Sequence, residues 1–366
     1  MSGRVRRWRA GLVVAIALVA GQLASGSAAL APSTAATGPT LAQLIGQKLV
    51  VRMDGTVPSA SLLGRIRRGE VGGVILFGAN ITTRTALIAL THRLHQAAID
   101  GGQPPLLIAV DQEGGSVKRI PWAPPTLSPP QMGSLGSTST ARSQGSQTGA
   151  ALKALGIDVD FAPVADVPVS TSSFLYQQHR TWSFSASRTS LLANAFSAGL
   201  RSGGVVPSMK HFPGLGLATL NTDLHMVSIR ASRTALAPGL LPYRAAIAAG
   251  IPLIMLSNAT YSAWDPYAAA GWSPAINTTL LRTTLGFRGV TITDGLDGTA
   301  ASRGLTTAHV AYRAAKAGTD MLLVTGSEST SRAVYSSLLA DATAGRISAT
   351  LLRASYTRIL ALKASH

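Results

Sequence analysis

Eight short runs rich in Val, Ile and Leu alternate with Ala- and Leu-rich stretches of helical period. This alternation narrows most sharply what the chain can fold into. The apolar runs lie at 49–53, 73–77, 106–111, 160–164, 206–210, 253–257, 290–294 and 321–324, and helical periodicity covers 85–98, 140–155, 188–202, 240–249, 307–317, 328–342 and 349–364. A strand that is apolar at successive positions is covered on both faces, which implies a parallel sheet under helices. Eight such repeats in about 320 residues predict a single-domain α/β fold, a TIM-type (β/α)8 barrel; an open doubly wound sheet is the competitor. No Gly-x-Gly-x-x-Gly follows the first run and no Walker A sequence occurs, so nucleotide-binding folds lack their phosphate loop.

The N-terminus reads as a targeting segment. Arg4, Arg6, Arg7 and Arg9 precede an uncharged apolar run at 10–20, and small residues follow, with Ala-Leu-Ala at 29–31. That order predicts a secretory signal peptide over 1–31, a Pro/Ser/Thr linker over 32–39 and a folded domain over 40–366. The apolar run is shorter than the roughly 20 residues of a membrane span, so no stable membrane insertion is expected once it is removed. Secreted or wall-associated protein is the expectation. The chain has no cysteine, which excludes a disulfide scaffold, a thiolate zinc site, an iron–sulfur cluster and a cysteine nucleophile. Lys and Arg number 32 against 15 Asp and Glu, a net charge of +17. A basic surface favours polyanions such as nucleic acid, anionic lipid or an acidic wall polymer, but these residues are scattered, which reads as solubility and compositional bias, and no nucleic-acid partner is expected.

Four apolar runs end in polar clusters. One leads into Asp111-Gln112-Glu113-Gly114-Gly115, another into Lys210-His211-Phe212-Pro213-Gly214, a third into Asp294-Gly295, and Asp-Phe-Ala-Pro-Val-Ala leads into Asp166. The C-terminal rim of a parallel barrel carries its active site, so four such clusters point to one shared pocket.

With Leu-Gly-Phe-Arg-Gly-Val at 285–290, these blocks resemble glycoside hydrolase family 3 over roughly residues 40–330. Lys-His-Phe-Pro-Gly is the most specific of them. About 70 residues follow Asp294, which points to the single-domain β-N-acetylhexosaminidase branch rather than the larger β-glucosidase branch. The resemblance implies a retaining glycosidase with Asp294 as nucleophile, and as acid/base a histidine oriented by an aspartate two residues earlier, here His225 and Asp223. It implies sugar binding by Asp111, Arg119, Arg180, Lys210 and His211. Metal and organic cofactors are not required. The implied partner is an amino-sugar glycan, peptidoglycan fragments among them, acted on by a monomer.

Three features depart from the family pattern. Gly295 stands where a second Asp is common, Leu215 replaces the first loop histidine, and Asp-x-His falls about two residues late. A β-glucosidase or phosphorylase of the same family, or a carbohydrate-binding barrel with impaired turnover, are the alternatives these departures leave open. Glu113 is expected to be structural. Among the tryptophans, Trp182 is the best placed to line a sugar platform, with core packing the more common fate of such a residue.

Overall fold

Each apolar run becomes a strand with one row of side chains inside a barrel and the other row against helices. In the computed structural model, which describes residues 38–365, the proposed signal segment and residues 32–37 of the linker lie outside the described residues. The strands are β1 (Leu49–Arg52), β2 (Gly73–Ile75), β3 (Leu107–Val110), β4 (Val159–Asp160), β5 (Val206–Phe212), β6 (Leu253–Leu256), β7 (Val290–Thr293) and β8 (Leu322–Val324). Val50, Ile75, Leu107, Leu253, Met255, Val290 and Leu323 share one interior cluster. Their strand neighbours Val51, Val74 and Ile108 pack outward in a second cluster, and Ile254 and Leu256 in a third. Period-two alternation between two apolar environments is why the runs look continuously hydrophobic.

The spatial order is β7-β6-β5-β4-β3-β2-β1-β8, and every neighbouring pair is parallel. A bridge between Ile292 and Met321 joins the two ends. There the Thr293 N–H donates to the Met321 carbonyl at 3.1 Å, and the Met321 N–H donates to Thr291 at 2.8 Å. The sheet therefore closes on itself as a TIM-type barrel, the arrangement the alternation predicts.

Two expectations need adjustment. The strand over 160–164 is paired only at Val159–Asp160 and resumes as a single bridge between Val164 and Lys210. Pro163 lies between and has no N–H to give the ladder. Helix Ala275–Thr284, with π-type hydrogen bonding, had no clear periodic signal. Its Asn-Thr-Thr and Thr-Thr pairs are weak helix formers, and tertiary packing of Ile276, Leu280 and Leu281 holds it instead.

The last helix, Ala349–Lys363, closes the bottom of the barrel. Ile359 and Leu362 join the interior cluster. Lys363 donates from Nζ to Gln47 Oε1 at 2.6 Å and to the Gly72 carbonyl at 2.8 Å, just ahead of β1 and β2. Burial, with only partial relief from Asp158, brings that ammonium down to about 7.

Asp320, just before β8, pins the closure. It is fully buried and accepts from the Thr291 N–H at 2.9 Å, Arg282 Nη2 at 2.6 Å, Arg358 Nη2 at 2.7 Å and Ser355 Oγ at 2.7 Å. Burial pushes its carboxyl upward, but the hydrogen bonds from Arg358 and the charge of Arg282 outweigh burial and hold it below the usual value. Its stabilisation is therefore fully present above the unfolded-state value near ~3.9 and is lost as pH falls through the lower folded value. Asp320→Ala leaves Arg282 and Arg358 unpaired. Urea unfolding at neutral pH is expected to show a loss of about 3–5 kcal/mol; a change below ~1 kcal/mol would show that the closure stands without this carboxylate.

Candidate active site

The rim of the barrel gathers charge because four strands end there in acids and bases. β5 runs to Phe212, so Lys210 and His211 belong to the strand itself. Lys210 is buried, and its Nζ lies 2.7 Å from both Asp111 Oδ1 and Glu113 Oε1. Glu113 comes from a hairpin that follows β3, turned by Gly114 (φ 92°) and Gly115 (φ 63°), positions only glycine adopts without cost. Its other partner is Arg180, which makes a two-pronged pair through Nη2 at 2.8 Å and Nε at 2.9 Å. The residue ahead of Arg180, His179, sits in the left-handed region (φ 56°) and directs the chain back toward the rim.

Burial alone raises the Glu113 carboxyl, but Arg180 and Lys210 together overturn that and pull it down to about 2. Arg180 and Lys210 lose from burial and gain more from their acids, so both are raised and remain charged. Beneath them Asp160 is wholly buried, with one oxygen accepting from the Gln112 N–H at 2.9 Å and the other unpartnered. Burial pushes this carboxyl up to about 8, against the Gln112 N–H and the Lys210 charge. Arg119 lies over the Phe77 ring at 5.4 Å and 3.6 Å from Asp111.

His211 is oriented by Asp166. That carboxylate is fully buried and accepts from two backbone N–H groups, His211 at 3.2 Å and Leu215 at 2.6 Å. An acceptor so committed takes the Nδ1 proton of His211, at 2.8 Å. The other ring nitrogen, Nε2, then stands 3.9 Å from Asp294 Oδ2. Asp294 follows β7; its Oδ1 accepts from the next N–H, Gly295, at 2.8 Å. Among the described residues, Oδ2 receives no hydrogen bond.

Asp111, Arg119, Arg180, Lys210, His211, Asp223 and Asp294 all line one cavity of about 340 Å³. His225 does not. Its surface is exposed, and it is absent from the cavity wall that Asn221, Thr222, Asp223 and Leu224 help to form. Trp182 is also elsewhere, buried, with Nε1 donating to the Val164 carbonyl at 2.8 Å and its ring edge-on to Phe196. The aromatic rings of the cavity wall are Phe77 and Phe174.

Residues 40–362 match the family described as Glycosyl hydrolase family 3 N terminal domain. The chain belongs to glycosyl hydrolase family 3. It is a glycoside hydrolase by that membership. It is 34% identical over 329 residues (88% of this chain, 93% of the relative) to a protein of Arthroderma benhamiae named as an uncharacterized secreted glycosyl hydrolase. It is 36% identical over 288 residues (75% and 80%) to a beta-hexosaminidase of Nitrosomonas eutropha. Among solved structures, a beta-N-acetylhexosaminidase of Beutenbergia cavernae superposes with a TM-score of 0.81 at 34% identity, covering 89% of this chain and 99% of that one. A family 3 beta-N-acetylglucosaminidase of Paenibacillus sp. str. FPU-7 gives 0.85 at 30% identity; this chain has 89% of its length covered and spans 62% of that longer chain.

Two members of the site were legible in the sequence only in part. Glu113 was expected to be structural; in the fold it is paired with two cations of the pocket at once, Lys210 and Arg180. Asp166 ended a recognised strand motif, yet nothing in the sequence tied it to His211. Glu113→Gln keeps the shape and removes the charge between Lys210 and Arg180. Kinetic assay of this family 3 hydrolase is expected to show kcat/KM reduced about 10- to 100-fold, mostly through KM, as in the loss of positioning partners elsewhere. An unchanged KM would mean that Asp111, which holds Lys210, and Gln178, whose Oε1 accepts from Arg180 Nη1 at 3.1 Å, suffice to place the two cations.

Proposed function

We propose that this family 3 hydrolase is a retaining β-N-acetylhexosaminidase that removes terminal N-acetylglucosamine from peptidoglycan-type glycans outside the cell. The observation that carries the reading is Asp294 Oδ2, an oxygen with no hydrogen bond among the described residues, in a cavity where Asp111, Arg119, Arg180, Lys210 and His211 are all paired. A carboxylate restrained through one oxygen and open at the other is suited to attack an anomeric carbon. Asp111, Arg119, Arg180 and Lys210 supply charged hydrogen bonds for sugar hydroxyls, and their mutual pairing holds them in place before substrate arrives. His211, fixed by Asp166, keeps a ring nitrogen beside the attacking oxygen.

The reaction runs in two displacements. Asp294 bonds to C1 as the glycosidic oxygen leaves with a proton, and water then breaks the glycosyl–Asp294 bond with the same configuration restored. The segment 215–226, which borders the cavity, supplies the proton donor. The names of the Nitrosomonas, Beutenbergia and Paenibacillus relatives support the amino-sugar specificity. Export is supported by the N-terminal pattern and the fungal relative's description as secreted; among the described residues no helix is long and apolar enough to cross a membrane. The positive surface charge suits an anionic wall.

The wild type is expected to hydrolyse p-nitrophenyl β-N-acetylglucosaminide, releasing the β-anomer first. Asp294→Ala is expected to lose at least about 10³-fold in kcat. A 5-fluoro-N-acetylglucosaminyl fluoride should label the peptide that contains Asp294. Full activity in the Asp294 variant, or a label on another peptide, would overturn the nucleophile assignment. Release of N-acetylglucosamine from muropeptides faster than from chitobiose would support the wall substrate.

A further inference from the structure

We infer that Asp223 itself is the general acid/base of this hydrolase, and that His225 takes no part in the chemistry; the inference rests on the glycosidase reading above. The first ground is the shape of the loop. The N–H groups of Leu224 and His225 both donate to the Asn221 carbonyl, at 3.2 and 2.9 Å, and the Asp223 N–H donates to Asn221 Oδ1 at 2.9 Å. Residues 221–225 therefore form a single helical turn. Successive side chains on such a turn are about 100° apart, so positions two apart face opposite sides. Asp223 lines the cavity, and His225 is exposed and not part of the cavity wall. An aspartate so placed cannot orient the histidine two residues later.

The second ground is how closely the turn meets the nucleophile's own segment. A Cβ added at Gly298 would lie 2.3 Å from the Asp223 carbonyl oxygen. Only a bare glycine lets the loop backbone rest on helix Leu296–Ala301, the helix that starts two residues after Asp294. That contact brings the Asp223 and Asp294 carboxyls into one cavity.

The surroundings favour a proton on Asp223. Although its surface is exposed at the rim, the enclosing walls and then the Asp294 carboxylate push its carboxyl up to about 7. Asp111 acts in the same sense, while His211 and Arg180 partly oppose it. Two carboxyl groups in one pocket separate into a donor and an anion by this physics. In the first step the Asp294–C1 bond forms, the C1–O bond breaks, and its electron pair takes the Asp223 proton. In the second step the Asp223 carboxylate takes a proton from water as the water oxygen bonds to C1 and Asp294 leaves as carboxylate.

The test compares Asp223→Ala, Asp223→Asn and His225→Ala on chitobiose and on a 2,4-dinitrophenyl N-acetylglucosaminide, whose leaving group needs no proton. Both Asp223 variants are expected to lose about 10²- to 10⁴-fold in kcat/KM on chitobiose and far less on the dinitrophenyl substrate. Sodium azide should restore turnover of Asp223→Ala, with β-glycosyl azide as the product. The wild-type kcat/KM should fall as pH rises through about 7, because the donor must be protonated, and this limb should vanish for Asp223→Asn on the dinitrophenyl substrate. His225→Ala should keep the limb and stay within about threefold of wild type. Azide rescue of His225→Ala instead, or wild-type rates on chitobiose in the Asp223 variants, would overturn the inference. A wild type inactive on every β-N-acetylhexosaminide would overturn the glycosidase reading beneath it.

Discussion

The closure of the barrel between β7 and β8 is the constraint on which the site depends. Asp294 follows β7, Asp111 follows β3, and Lys210 sits at the end of β5. These side chains share a cavity only because the sheet curls until its first and last neighbours meet. The seam is short in backbone hydrogen bonds. Asp320 compensates by binding the Thr291 N–H on one side and two guanidinium groups on the other. A buried carboxylate with that many donors is costly to remove and geometrically definite, which is what a seam requires.

The same device recurs at the rim with a different outcome. Glu113 is as buried as Asp320 and is matched by two cations, so it stays ionised and rigid. Asp160 is buried without a paired cation of its own, and its carboxyl is raised to about 8. Asp223 lies between these cases: the enclosing walls and then the Asp294 carboxylate raise its carboxyl to about 7, with His211 and Arg180 in partial opposition. Four carboxyl groups within one barrel thus fall into two lowered and two raised because their partners differ.

Much of this was legible in the sequence. Runs such as Leu-Ile-Ala-Val and Leu-Ile-Met-Leu can only be strands covered on both faces, and the polar residues after them mark one rim. Legibility failed where short-range pattern gives way to long-range contact. Helix Ala275–Thr284 has poor intrinsic propensity and is held by packing. The pairing of Asp166 with His211 joins residues 45 apart. The Asp-x-His spacing suggested a dyad; in the fold Asp223 lies on the cavity wall, whereas His225 is exposed and outside that wall.

The sequence by itself determined the alternation of strands and helices, the family, and the chemical types available at the strand ends, because these depend on periodicity and on residues close together in the chain. Only the tertiary structure decided which carboxyl is lowered, which is raised, and which residues of a loop turn line the cavity. Those properties follow from burial and from the distance to charges carried by other strands, quantities that no local stretch of residues contains.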